Sequence, residues 1–425
     1  MKDKISDILT INHYVLTVFP YWTDELMSKW QEKVTTLLMS VNEEMTQVEF
    51  YKELMKLAAI LNDGHTLVYL PKEIKEEIGY FPVELGLLEE KLVILSGNGD
   101  VDKYLYQPIK NINGISAEAY LHMCSEYGWA HHNEFSMGMT QLSSSFFFEG
   151  EELKVMFETG QTLHLPYLKE RFYPKKEIVE YISQPFDILY ESEEMVILKV
   201  ASKIVVKLNH FMSENIVPEF FCYVDDYLSA EELIFDVRDN FGGNSGIANE
   251  IAQAFFDESI EMEKASRQVV DSEKIAIASM ILYGMDSEVA KKTHREEYNT
   301  LNHQSLKIAI EKNDLIKYMG VLTQVPVKIL QNRMTYSSGE NFIINFDNKK
   351  RATLIGETTA GSTGQPAWLS LKTGGMFMVT AKKVEYPNGK KHHNLGIEPD
   401  VFVSETLTSK RNKIDAILNY ALEQK

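Results

Sequence analysis

Two short stretches of this chain put a hydroxyl and backbone amides where acyl chemistry could use them. The first is the small-residue turn Thr335-Tyr336-Ser337-Ser338-Gly339-Glu340, between Val325–Leu330, which reads as a buried strand, and Asn341–Phe346, which reads as the start of a helix. A serine at such a junction sits beside unpaired amides and the positive end of a helix dipole, which favour a developing oxyanion. The same Ser-Ser-Gly-Glu pattern also suits an ordinary helix N-cap with a nearby acid. The second stretch is Asp239-Asn240-Phe241-Gly242-Gly243-Asn244-Ser245-Gly246, between the apolar run Glu232–Arg238 and the helical pattern Ile247–Phe256. Its glycines let backbone approach a ligand closely. Neither GxxxxGK[ST] nor GxGxxG occurs, so it is not a phosphate cradle of those kinds. One unit offering a serine and another offering glycine amides fit an acyl-transfer site with an oxyanion hole.

At these residues the chain resembles the C-terminal-processing and tricorn-core serine peptidases. Asp236–Gly243 is similar to that family's Asp-Leu-Arg-x-Asn-x-Gly-Gly signature, and Thr335–Glu340 to its nucleophile turn, with the serine three residues before the glutamate. Arg351–Thr358 is similar to the strand after the nucleophile helix, and Leu395–Val401 to the closing motif. The four motifs stand in the family's order across roughly residues 195–405. The resemblance implies peptide-bond hydrolysis through an acyl-enzyme, with Ser337 attacking and the amides of Gly243 and Ser338 receiving the oxyanion. Ser338 would then act through its N–H alone.

The base is where the chain departs from the better-known branch. That branch uses a lysine in a Gly-Lys-Gly loop, and the same place here falls on Ser362, within Gly361-Ser362-Thr363-Gly364. A serine–lysine dyad at that position is excluded. The tricorn-like branch takes its base from a histidine in an N-terminal helical region, and Asn62-Asp63-Gly64-His65-Thr66 resembles its motif. The resemblance therefore implies His65, with a half-rise of activity at about pH 6–7 for an ordinary imidazole. Lys372 and Lys382 are the bases to consider next. The branch also carries a serine beside the histidine and a distant glutamate to orient it. Here the neighbour is Gly64 and the closing motif reads His392-His393-Asn394, which leaves Asp63, Glu340 and Glu398 as candidate acids. Two readings of other classes follow from these departures: a non-catalytic binding protein that retains the fold, and a serine esterase acting on non-peptide substrates.

Composition bounds the rest. A chain of 425 residues with 44% hydrophobic and 25% charged residues suggests two or three globular domains. A net charge of −19 without Lys/Arg blocks argues against nucleic acid and anionic membrane as partners. The expected partner is a peptide or protein substrate, and a homo-oligomer is allowed. Cys124 and Cys222 form no motif, and His131-His132 and His392-His393 lack metal-ligand spacing and read as surface or turn residues; no metal or cofactor is expected. With no leader-like or membrane-spanning run visible, a cytoplasmic location is the expectation.

The elements that must position these residues define a mixed α/β, multidomain fold. Residues 1–70 show helical periodicity, with Trp22, Leu26, Trp30, Val34, Leu37 and Leu38 on one stripe, and would contribute His65. Residues 71–165 are rich in short strands, and Ile109–Leu121 resembles the strand, Asn-Gly turn and helix of PDZ modules. Residues 166–425 would form an αβ sandwich peptidase core, interrupted at about 257–319 by a charged, helix-prone excursion that is either a solvated elaboration or a lid over the site.

Overall fold

The computed structural model describes residues 1–97, 101–141, 144–148, 150–172, 182–302, 304–314 and 317–424. Residues 173–181 of the core region, and 303, 315 and 316 of the excursion, therefore lie outside the described residues. Seven strands form the central sheet, in the order Val401–Phe402, Thr353–Gly356, Val327–Gln331, Glu232–Asp236, Lys203–Leu208, Met195–Val200 and Asp187–Glu191. The first five pair in parallel and the last two add antiparallel. Strands covered on both sides must be apolar on both sides. Accordingly Met195 and Ile197 pack with the helices Ile216–Phe221, Ser245–Gln253 and Ser338–Asp347, while Val196, Leu198 and Val200 pack with Ala416–Glu423.

The two strand–turn–helix units leave adjacent parallel strands at the same end, because Asp236 pairs in register with Leu330. The glycine loop and the nucleophile turn therefore meet beyond the carboxyl ends of those strands, where open α/β sheets commonly bind ligands. Arg238, at the first of these ends, grips Asp236 through Nε and Nη2 at 2.9 and 2.8 Å. It also reaches both carboxylate oxygens of Asp415 at 2.7 Å, so the same guanidinium ties the C-terminal helix to the sheet.

The N-terminal helices Lys2–Val18, Asp24–Ser40 and Gln47–Ala59 enclose a core of their own, with Trp30, Val34 and Leu37 inward as the stripe implies. Thr46 and Glu49 form a capping box that fixes the start of the third helix. That core is completed by Leu369, Leu371, Phe377 and Val379, from the hairpin Pro366–Ser370 and Met376–Thr380 that follows the Ser362 loop. Leu67–Tyr69 adds to this hairpin as an antiparallel strand. Asp7 accepts the amides of Lys372 and Thr373 at 2.7 and 3.0 Å. A segment two residues past His65 is thus hydrogen-bonded to a hairpin that begins four residues past Ser362.

The next region forms a two-stranded and a four-stranded sheet, with Asn113 and Gly114 both at positive φ in a tight hairpin, the conformation that Asn-Gly favours. The excursion differs from its expected all-helical form. It leaves through Glu261–Gln268 and returns through Leu306–Lys312, and only the segment between them is helical. The outgoing strand lies between its return strand and Lys383–Glu385, so tertiary pairing overrides the helical propensity of Glu, Lys and Ala there. Among the described residues no helix is long and apolar enough to cross a membrane.

Removing Arg238 would strand two buried carboxylates at the sheet's end. Arg238→Ala is expected to destabilise the fold by about 3 kcal/mol, read as a lower denaturant midpoint. An unchanged midpoint would show that the C-terminal helix is held by its apolar face alone.

Candidate active site

Ser337 is the residue before the helix Ser338–Asp347, yet its hydroxyl makes no capping bond. Its backbone sits at φ +57°, ψ −122°, a conformation that L-residues rarely adopt and that persists only when the surroundings impose it. The surroundings are two loops stitched onto the turn. From the glycine loop, the carbonyl of Asn240 accepts the Tyr336 amide at 2.9 Å, and that of Val237 accepts the Thr335 hydroxyl at 2.8 Å. From the other side, the Ser337 amide donates to the Ser362 carbonyl at 3.0 Å and the Ala360 amide to that of Thr335 at 3.0 Å. The cap reading of Ser337 thus fails, and the hydroxyl is left for another partner.

That partner is His65, whose Nε2 lies 3.0 Å from Ser337 Oγ. The imidazole is buried and stacked on the Tyr336 ring, with centroids 4.5 Å apart and planes 15° from parallel. Its other nitrogen, Nδ1, lies 3.0 Å from Ser362 Oγ. No carboxylate among the described residues bonds the ring. Asp63 Oδ2 instead accepts the His65 backbone amide at 3.2 Å and the hydroxyls of Thr66 and Thr380, so it shapes the loop that carries the ring. Glu398 is exposed, and the ring's hydrogen bonds go to Ser337 and Ser362 instead. Glu340 is fully buried and accepts Thr359 Oγ1 at 2.5 Å and the amides of Gly361 and Ser362 at 2.8 Å, so it braces the loop that carries Ser362. Of the three candidate acids, one holds the histidine's loop, one holds the serine's loop, and one does neither.

Burial decides the protonation of both buried groups. It pushes His65 down to about 4, against the pull of the nearby Asp63 charge. It pushes Glu340 up to about 7, against the four hydrogen-bond donors, Thr359, Gly361, Ser362 and Ser337, that favour its charged form. An imidazole in this environment is neutral near pH 7, so Nε2 can accept the Ser337 proton while Nδ1–H donates to Ser362. The half-rise expected at pH 6–7 from an ordinary histidine is therefore displaced to lower pH. Lys382 is ion-paired with Glu263, which removes it as the next base to consider.

The glycine loop supplies the other half of the site. In the bridge between Phe211 and Gly243, Phe211 uses the Gly242 carbonyl and the Asn244 amide. The Gly243 amide and carbonyl therefore face away from Phe211, and the carbonyl accepts Ser338 Oγ at 2.8 Å. Ser338 thus does more than lend its N–H, because its hydroxyl orients the Gly243 peptide. Gly242 is a residue that sequence reasoning passed over. A Cβ there would lie 2.6 Å from Ser337 Cβ, 2.8 Å from the Ser338 amide and 2.9 Å from Ser337 Oγ. The space in front of Ser337 exists because position 242 has no side chain.

Sequence reasoning used Ser362 only to rule out a lysine. The signal was available, since a side chain at that place must reach the serine–base pair whatever its type. Gly64 fits the same picture: a Cβ there would lie 2.9 Å from Ser362 Oγ and 2.8 Å from the Trp129 ring. The paired histidines are partly corrected. His131 is exposed, but His132 and His392 are buried, because each places a ring nitrogen on a local partner: the Arg333 carbonyl at 2.7 Å and Thr363 Oγ1 at 2.8 Å. Among the described residues no group of His, Cys, Asp and Glu could hold a metal ion.

Gly242→Ala tests the open space directly. Its φ of +95° and the contact with Ser337 forbid a methyl group without displacing the nucleophile. The expected outcome is a folded protein that a serine-reactive phosphonate labels at least ~10²-fold more slowly. Labelling at the original rate would show that the oxyanion binds elsewhere.

Comparison with known proteins bears on the fold. The model of peptidase family S41 matches residues 204–403. A curated carboxyl-terminal-processing protease of Synechocystis is 36% identical over 87 residues, so the match spans a fifth of this chain and a fifth of that protein. Among solved structures, mature CPAF is similar with a TM-score of 0.69, at 15% identity over 99% of this chain and 95% of its own. The photosystem II D1 C-terminal processing protease has a TM-score of 0.53, at 16% identity over 94% and 93%. A peptidase structure from Parabacteroides merdae has a TM-score of 0.54, at 18% identity over 99% and 95%. At such identities these structures speak for the fold, and the sequence likeness to peptidase family S41 lies within the αβ core.

Proposed function

We propose that the chain is a serine peptidase that cleaves peptide or protein substrates through an acyl-enzyme on Ser337. The observation that carries this reading is the 3.0 Å approach of His65 Nε2 to a serine hydroxyl that caps nothing, on a backbone held at positive φ. In the reaction, Ser337 Oγ attacks the scissile carbonyl while its proton passes to Nε2. The oxyanion forms in the space that Gly242 leaves open, beside the Ser338 amide at the helix N-terminus, with the Gly243 amide as the second donor. His65 returns the proton to the leaving amine. Water then repeats the sequence, with Nε2 again as base, and frees the second product.

Ser362 serves as the positioning residue for His65. Its hydroxyl accepts Nδ1–H, which fixes the tautomer with a bare Nε2, and Glu340 holds the loop on which Ser362 rides. A chain that had kept the fold only to bind ligands would have no need of this alignment. An esterase would use the same groups, and comparing peptide with ester substrates separates the two.

Ser337→Ala is expected to leave the fold intact and lower kcat by at least ~10³-fold. Ser362→Ala should lower kcat by about 10²-fold with KM unchanged, since only the orientation of the base is lost, and Ser362→Thr should recover much of it. An active Ser337→Ala variant would overturn the mechanism. Undiminished kcat in Ser362→Ala would leave the nucleophile standing and remove Ser362 from it.

The pH profile tests the base. His65 acts only when neutral, and its pKa is depressed to about 4, so activity should rise through about pH 4 and be fully developed by pH 6. The measurement is kcat/KM against pH over the range in which circular dichroism shows native protein. A half-rise at the ordinary histidine value of ~6.5 would mean that the ring is solvated in the working enzyme.

A further inference from the structure

Among the described residues the excursion's return strand, Leu306–Lys312, ends the three-stranded sheet it shares with Glu261–Gln268 and Lys383–Glu385. Val269 donates to the Ser305 carbonyl at 2.9 Å, and Asn313 to that of Ile260 at 3.0 Å. Hydrogen-bonded pairs alternate along an antiparallel ladder. Ser305, Lys307, Ala309, Glu311 and Asn313 therefore turn their peptide groups inward, and Leu306, Ile308, Ile310 and Lys312 turn theirs outward. The outward residues are also unusually apolar for an edge: Leu306, Ile308 and Ile310 are 39%, 57% and 49% exposed. The sheet's bulge lies on the neighbouring strand, between Glu261 and Glu263, so this edge is neither kinked nor broken by proline. Natural sheets normally blunt an edge like this one.

We propose that this edge pairs antiparallel with the same edge of a second copy of the chain, about a two-fold axis through Ala309. The register follows from the strand's own charges. The outward residues must oppose one another, which restricts the symmetric registers to those that shift by whole pairs. Centred on Ala309, Ile308 opposes Ile310 and Leu306 opposes Lys312, giving ~8 intermolecular ladder bonds. Lys307 then opposes Glu311 on both sides of the axis, at the non-hydrogen-bonded positions where side chains approach most closely. Centred on Ile308 instead, Lys307 would face Ala309 and Glu311 would face Ser305. Centred on Ile310, Lys307 would face Asn313. Only one register joins two opposite-charge pairs and places all four outward residues in the ladder. Glu311, bridged to Arg267 at 2.7 Å, keeps 30% of its side chain exposed toward such a partner. The net charge of −19 on each copy opposes association, so pairing should strengthen as salt rises toward physiological values.

The test is the mass in solution of the full chain by light scattering, at ~50 μM protein and ~0.15 M salt. Twice 48.8 kDa is expected. Ile308→Pro removes an outward amide and no bond of the chain's own ladder, so it should give a monomer that still labels at Ser337 at the wild-type rate. Ala309→Cys, in a Cys222→Ser background that removes the exposed native thiol, should cross-link to its copy under mild oxidant, because position 309 lies on the axis. A monomeric wild-type chain overturns the proposal, including the case in which the edge binds an extended peptide instead. A dimer that neither cross-links at 309 nor responds to Ile308→Pro overturns it equally, by placing the interface elsewhere. Should the proline variant fail to fold, the cysteine variant decides alone.

Discussion

The antiparallel pairing of Leu67–Tyr69 with Met376–Thr380 joins the N-terminal helices to the αβ core, and His65 stands two residues from it. A three-residue strand could not hold two bodies together by itself. It is reinforced by an apolar core that draws on both, with Trp30, Phe50 and Leu54 from one and Leu369, Phe377 and Val379 from the other. Asp7 adds a carboxylate that accepts two amides of the hairpin's turn. Burial supplies the bulk of the attraction and the strand supplies the register. A slip of one residue would send Val68 to solvent and turn the segment that carries His65 away from the nucleophile.

The electrostatics of the site follow from having no carboxylate on the imidazole. A carboxylate there would raise the ring's pKa and favour its charged form. Instead the ring meets a serine on each side and a tyrosine on its face, all of them neutral. The two nearby carboxylates act one step removed, each through backbone amides of the loop it braces. Charge is kept where it organises the backbone and away from the Nε2 that faces Ser337. An imidazolium at this position would have the field of Asp63 to favour it, a weaker aid than direct contact would be.

Much of this was legible in the residues because motifs of this kind are local. The nucleophile turn, the glycine loop and the Asp236–Arg238 grip each lie within a few consecutive positions, and strand–turn–helix units announce themselves by apolar runs and small residues. His65 was reached only through resemblance, since nothing in Asp63-Gly64-His65 by itself points across 272 residues to Ser337. What stayed hidden depended on tertiary placement: the contact of Ser362 with the imidazole, the depression of the histidine, and the burial of His132 and His392. The excursion misled for a related reason. Its Glu, Lys and Ala content favours helix, and only the neighbouring Lys383–Glu385 makes Glu261–Gln268 a strand.

Gly64 and Ser362 face each other across a gap that holds one side chain and no more. A serine beside the histidine at position 64 and a hydroxyl arriving from position 362 are two routes to the same small volume, and either excludes the other. The two positions are therefore coupled through occupancy, although 297 residues of chain separate Ser362 from the histidine it supports. The two remaining combinations put both side chains there or neither. The crowded state displaces the Trp129 ring or the loop braced by Glu340; the empty one leaves Nδ1 without an acceptor.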